Sequence, residues 1–149
     1  MPQEYLLHPS PAKSGSQLNT GVPGFEQGFW TPSLGGNTTY NLQLGYYTRI
    51  GGIVFITCSL DIAIIGTGNP LAISGFPYLS KKGITQVIPV SGTFNIATAI
   101  VEIKGRLVTQ SNAMSFLTKT AAADTENASD PIFQDGTILN ATGVYRIDV

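Results

Sequence analysis

Residues that carry chemistry are scarce in this chain of 149 residues. It has one cysteine, Cys58, and one histidine, His8. A single cysteine excludes an internal disulfide, and a zinc site needs several cysteines or histidines at set spacing. His8 lies in a proline-rich segment, whereas a catalytic histidine must be held rigidly beside its nucleophile. We therefore expect no metal, no cofactor and no enzymatic activity.

Charge is scarce as well. Charged residues make up 11% of the chain, and the formal net charge is -1. No basic patch of the kind that binds a phosphate backbone is present, so nucleic acid is not an expected partner. No stretch approaches the ~18 consecutive apolar residues of a membrane span, and the N-terminus lacks the pattern of a secretory signal. We expect a soluble protein made in a cytosol, with no membrane partner.

Carboxylates are the remaining candidates for catalysis. Asp61 and Glu102 fall on the polar faces of predicted strands, and a facing pair would suit a glycosidase. Nothing in the sequence brings the two together, so a carbohydrate-active enzyme is kept only as a third hypothesis, after the two structural roles described below. The segment Asp124 to Asp130 lacks the glycine and closing glutamate of a calcium-binding loop and is interpreted as a polar loop.

Alternating apolar residues predict many short strands. From Ile53 to Ile65 every second residue is apolar, which indicates a strand with one face in the core. The segment Ile84 to Val90 predicts another strand, in which Pro89 favours an edge or a bulge. Asn95 to Lys104 also alternates, and no amphipathic helix is longer than a couple of turns. The pattern predicts an all-β protein of around eight strands, a sandwich or a barrel.

The first 27 residues differ from the rest. They contain several prolines and glycines, which do not support a helix, and too few apolar residues to fold alone. We predict an extended N-terminal arm over residues 1–27 and a β-domain over residues 28–149. The arm is either a mobile tail or a segment that orders on a neighbouring subunit. Its apolar anchor candidates are Tyr5, Leu6, Leu7 and Phe25.

Three motifs resemble a known family. They are "GFWTPSL" from Gly28, "YNLQLGYYTRIGGIVFITCSLDI" from Tyr40 and "ISGFPY" from Ile73, with a closing "ATGVYRIDV". Their order is similar to the domain that often closes bacteriophage tail fibres and other phage surface appendages. The resemblance covers roughly residues 28–78 and the last strand. Gly52 departs from it, since the family often has Asn there, but both residues allow a positive φ in a hairpin turn.

The resemblance implies a jelly-roll-like antiparallel β-sandwich that forms a homotrimer on the virion surface. A short chain with an arm looks more like a capsid decoration, or cement, protein than a fibre. Its partners would be copies of itself and the major capsid protein. The alternative is a tail-fibre or head-fibre tip that binds a host-surface glycan. Four aromatic residues are candidates for the start of the domain and the trimer contact, with plain core packing as the competing interpretation: Trp30, Tyr46, Tyr47 and Phe55.

Overall fold

The described part of the chain forms eight antiparallel strands. The computed structural model describes residues 24–122 and 125–149, so the arm candidates Tyr5, Leu6 and Leu7 lie outside the described residues. The strands are β1 (Phe25–Trp30), β2 (Thr39–Ile50), β3 (Ile53–Ile64), β4 (Ala72–Ser74), β5 (Gln86–Phe94), β6 (Glu102–Leu107), β7 (Ala113–Lys119) and β8 (Ile138–Arg146). No helix that could span a membrane occurs among the described residues. The predicted all-β class is confirmed.

The sheet has the order β1-β2-β3-β8-β5-β6-β7-β4 and curls upon itself. Strand β5 pairs with β6 up to Pro89 and with β8 from Val90 onward, and its register shifts between Val90 and Gly92. Pro89 therefore lies at the change of partner, beside the irregularity that its missing N–H favours. Ser33, just after β1, exchanges backbone hydrogen bonds with Ser74 of β4, so the two outer strands approach each other.

Strand β3 provides the centre of the core. Its inward residues from Val54 to Ile62 are at most 2% exposed, as the alternation predicted. Ile64 continues the alternation but is 56% exposed, because β3 ends there, beyond two register shifts in its pairing with β2. The loop before β8 also contributes Ile132 and Phe133, which are buried and whose N–H groups donate to the carbonyl of Pro70.

Two predicted boundaries are corrected. Strand β1 begins at Phe25, inside the predicted arm, because residues 25–27 pair with the last residues of β2. The predicted strand from Asn95 begins only at Glu102. Asn95 has a left-handed φ of 52°, and its side chain donates to the carbonyl of Asp135 at 2.9 Å, which holds the segment as a loop.

Antiparallel pairing places the connections at two ends of the sheet. One end carries the Gly51–Gly52 turn, residues 75–85, the turn at residues 108–112 and the last residues, 147–149; it is termed the C-terminal end. Gly24 lies there too, since its carbonyl accepts a hydrogen bond from the N–H of Gly51 at 2.8 Å. The opposite end carries residues 31–38, 65–71, 95–101 and the loop before β8.

Candidate assembly surface

Trp30 and Tyr47 each lie over a glycine of the neighbouring strand. In the β1–β2 pair, Trp30 faces Gly45 and Gly28 faces Tyr47. A Cβ on Gly45 would lie 2.5 Å from the indole, and one on Gly28 would lie 2.9 Å from the Tyr47 ring. Both glycines are therefore required by close approach. Trp30 and Tyr47 are 7% and 4% exposed, so these two candidates support the domain and present little surface to another subunit.

An aromatic cluster continues from Trp30 across the core. The ring of Phe76 lies 4.7 Å from Trp30 and 5.8 Å from Tyr145, measured between centroids. The Tyr145 hydroxyl donates to the carbonyl of Tyr78 at 3.2 Å, and burial raises the pKa of Tyr145. The motif "ISGFPY" thus folds back onto β1 and β8.

Glu26 joins β1 to two other segments. Its carboxylate accepts hydrogen bonds from the hydroxyls of Tyr47, at 2.8 Å, and Tyr78. Arg49 lies 3.8 Å from the same carboxylate and stacks 5.0 Å from the centroid of the Tyr78 ring. Burial, and then the hydrogen bond to Glu26, raise the pKa of Tyr78. This cluster holds the first strand in place; Glu26 is engaged by partners on three sides.

The outward side of β1, β2, β3, β8 and β5 is an exposed sheet face with many large apolar side chains. Alternate residues of each strand point outward, and cross-strand neighbours line up, as in Phe29 beside Tyr46, whose ring centroids are 5.6 Å apart. The large apolar members are between 38% and 67% exposed. They define the apolar face: Phe29, Leu42, Leu44, Tyr46, Ile50, Ile53, Phe55, Val87, Phe94 and Val144.

Two of the predicted contact residues meet on this face. Tyr46 and Phe55 line an open depression of about 620 Å³, together with Val87 and Val144. Three threonines, Ile56, Pro89 and Gly143 complete the lining. The charged residues of β3 and β8 that point outward, Asp61 and Arg146, are not part of it. The surface can bury apolar area with little cost of removing charges from water.

Most members of the apolar face were not singled out from the sequence. The available signal was the outward side of β3, which begins with Ile53 and Phe55 although the opposite side is already apolar. A strand with large apolar residues on both sides covers two surfaces. The outward residues of β2 and β8 carry the same signal, but only the strand pairing joins them into one face.

The titratable residues considered for catalysis lie apart. Asp61 is on β3, where it accepts a hydrogen bond from the side chain of Asn41 at 3.1 Å. Glu102 is on β6, which is not adjacent to β3, and its contact with Lys104 lowers its pKa. Cys58 is buried, and burial raises its pKa to about 12, which keeps the thiol protonated and unreactive. The described residues hold no group of three or more potential metal ligands.

Comparisons with protein-family models, curated protein sequences and solved structures find no match to this chain. The resemblance to phage appendage domains therefore stays a prediction from the motifs.

Proposed function

We propose that this protein is a non-enzymatic structural protein of a phage virion that functions as a homotrimeric capsid decoration knob. The observation that carries the proposal is the apolar face. In this proposal the curled sheet is a jelly-roll-like sandwich, and copies of the chain cover one another's apolar faces.

The size of the face supports self-association. Its ten large apolar side chains are each about half exposed. At roughly 100 Å² for each half-exposed side chain, they present roughly 1,000 Å². The largest apolar patch of a typical monomer is about 300–600 Å², and a standard interface buries about 800 Å² per partner. The face is therefore large enough for a stable contact and larger than a lone subunit usually leaves in water.

The width of the face suits three copies. Five neighbouring strands leave four gaps of ~4.8 Å, a width of ~19 Å. Three such faces around a threefold axis parallel to the strands would each lie ~5.5 Å from the axis. That distance is close to half of the ~10 Å between packed sheets, so three faces would enclose a filled apolar core.

As a decoration protein, the trimer would lie over joints between capsid subunits. The arm, with Tyr5, Leu6 and Leu7 as its anchors, would add contacts across the joint, for example by strand addition to an exposed edge. Phe25 belongs to β1 and is left out of this role. The partners are other copies of this chain and the major capsid protein, and the place of action is the virion surface.

Self-association is tested by light scattering on the purified full chain. We expect a mass three times the 15.8 kDa of one chain. The Phe55→Asn variant should shift the mass toward the monomer, whereas Val101→Asn, an equally polar change at a residue 64% exposed outside the face, should leave it unchanged. A monomeric wild-type protein at micromolar concentration would contradict the trimer.

Capsid binding is tested separately. Undecorated capsids and host cells are each mixed with the full chain and with a variant lacking residues 1–23. Saturable binding to capsids that is lost in the shortened variant supports decoration, and binding to cells alone contradicts it.

The second candidate function is a tail-fibre or head-fibre tip that binds a host-surface glycan. The depression beside Tyr46 and Phe55 favours it, because aromatic rings flanked by threonine hydroxyls provide both apolar faces and hydrogen-bonding groups for a small ligand. Under this alternative, Tyr46→Asn should abolish binding to host cells without changing the oligomeric mass.

A further inference from the structure

The charged side chains of the described residues are divided between the two ends of the sheet. The C-terminal end has five cationic side chains and two side-chain carboxylates, and the opposite end has two cationic side chains and five side-chain carboxylates. The first group is Arg49, Lys81, Lys82, Arg106 and Arg146 with Glu26 and Asp148. The second group is Lys104 and Lys119 with Asp61, Glu102, Glu126, Asp130 and Asp135. The side chains of the C-terminal end therefore carry a net positive charge although the whole chain is slightly negative.

Backbone contacts bring the exposed cations of the C-terminal end together. The N–H of Lys81 donates to the carbonyl of Arg146 at 2.8 Å, and the N–H of Lys82 donates to Asp148 at 3.1 Å. Lys82 and Arg146 are exposed. The Lys81–Asp148 ion pair is 3.9 Å long with both side chains about half exposed, so it only weakly offsets the positive charge.

Large apolar residues are exposed at the same end. Leu79, Ile84 and Val149 are 56%, 40% and 90% exposed. Leu79 also lines a depression of about 280 Å³ with Tyr78 and Ile147. Ile53 of the apolar face borders this end, because it lines a second depression with Lys81, Arg146 and Val149. Apolar side chains with cations at their rim are typical of a surface that binds another protein.

The chain enters the domain at this end. Gly24 is hydrogen-bonded to the Gly51–Gly52 turn, and 23 residues precede it in the sequence. Whatever those residues contact, they start from the end that carries Lys82 and Leu79. An arm that binds a partner and a domain surface that binds the same partner would therefore act from one side.

We propose that the C-terminal end is the docking surface of the domain and that its partner is an acidic protein surface with apolar residues at its centre. The exposed Leu79, Ile84 and Val149 favour protein over a phosphate backbone, which offers nothing to cover apolar side chains. The inference deepens the proposed function by assigning the end of the knob that faces the capsid. The preference of this surface for an acidic partner with apolar residues does not depend on whether that partner is a capsid.

The first test compares two charge reversals on the full chain. Lys81→Glu/Lys82→Glu changes the C-terminal end, and Lys104→Glu/Lys119→Glu makes the same change at the opposite end. Binding to undecorated capsids is measured at low and at physiological salt. We expect the first variant to bind about tenfold or more weakly and the second to bind as the wild type does. Equal binding by both variants, or a larger loss in the second, would overturn the proposal.

The second test does not need capsids. A column bearing an immobilised peptide of Asp, Glu and Leu should retain the wild type at low salt and release the C-terminal-end variant first. If the wild type does not bind capsids but shows this elution order, the decoration function is contradicted and the docking surface is supported. Tighter binding of the wild type to double-stranded DNA or to phosphatidylserine vesicles than to the peptide would overturn the choice of a protein partner. Unchanged oligomeric mass in both variants confirms that only docking was altered.

Discussion

The indole of Trp30 packs onto the backbone of Gly45, its partner in β2, and its Nε1–H donates to the carbonyl of Tyr46 at 3.3 Å. The glycine and the tryptophan are therefore one unit, since any side chain at position 45 would occupy the space of the ring. The same holds for Gly28 under Tyr47. Aromatic rings over glycines in neighbouring strands stabilise pairing that glycine alone would weaken.

Gly45→Ala should lower the free energy of unfolding by about 2 kcal/mol, because the added methyl group displaces Trp30 from a filled core. Urea unfolding followed by tryptophan fluorescence measures the loss and reports on the same ring. Gly92→Ala is the matched control, since a Cβ there meets its nearest atom at 3.7 Å, an ordinary contact. Equal effects of the two substitutions would contradict the packing explanation.

Glu26→Gln should weaken the attachment of β1. The carboxylate accepts from Tyr47 and Tyr78 and faces Arg49, and a neutral amide cannot satisfy all three. We expect a loss of about 1.5–3 kcal/mol, as for hydrogen bonds to a charged group. Amide hydrogen exchange in β1 should be faster in the variant than in the wild type, whereas exchange in β8 should be the same in both. Glu126→Gln, at an exposed ion pair with Lys104, should change neither measurement.

Cys58 should make the protein less stable at alkaline pH. Burial raises the pKa of its thiol to about 12, whereas an unfolded cysteine ionises near about 8.5. As the pH rises above the unfolded value, the unfolded state loses the proton while the folded state keeps it, so the free energy of unfolding falls. The slope approaches about 1.4 kcal/mol per pH unit above the unfolded pKa, and the expected loss between about pH 8.5 and pH 9.5 is about 1 kcal/mol.

Urea unfolding between about pH 8.5 and pH 9.5 measures this slope below the range in which unfolded tyrosines, at about 10, ionise. Cys58→Ala should remove the slope in that interval. A slope that persists in the variant would assign the alkaline loss to other groups. In the wild type, a thiol reagent at pH 8 should react only in urea, because the folded side chain is inaccessible.

The period of apolar residues was enough to predict an all-β chain, the inward side of β3 and the irregularity near Pro89. The period wrongly predicted a strand from Asn95, where apolar residues also alternate. There the left-handed φ of Asn95 and side-chain hydrogen bonds to the loop that precedes β8 hold the segment as a loop. The sequence pattern also placed the start of the domain after Gln27. Residues 25–27 are too few to show an alternating pattern, and only their pairing with β2 identifies them as part of a strand.

Neighbouring Tyr46 and Tyr47 have opposite environments. The strand pattern of the sequence predicts that two such neighbours point to opposite sides of the sheet. The folded structure adds that Tyr47 is buried over Gly28 while Tyr46 lies on the apolar face, because the choice of side depends on the register with β1. It likewise decided that Lys81, Lys82 and Arg146 share one end, since residues far apart in sequence meet there only through the alternating direction of antiparallel strands.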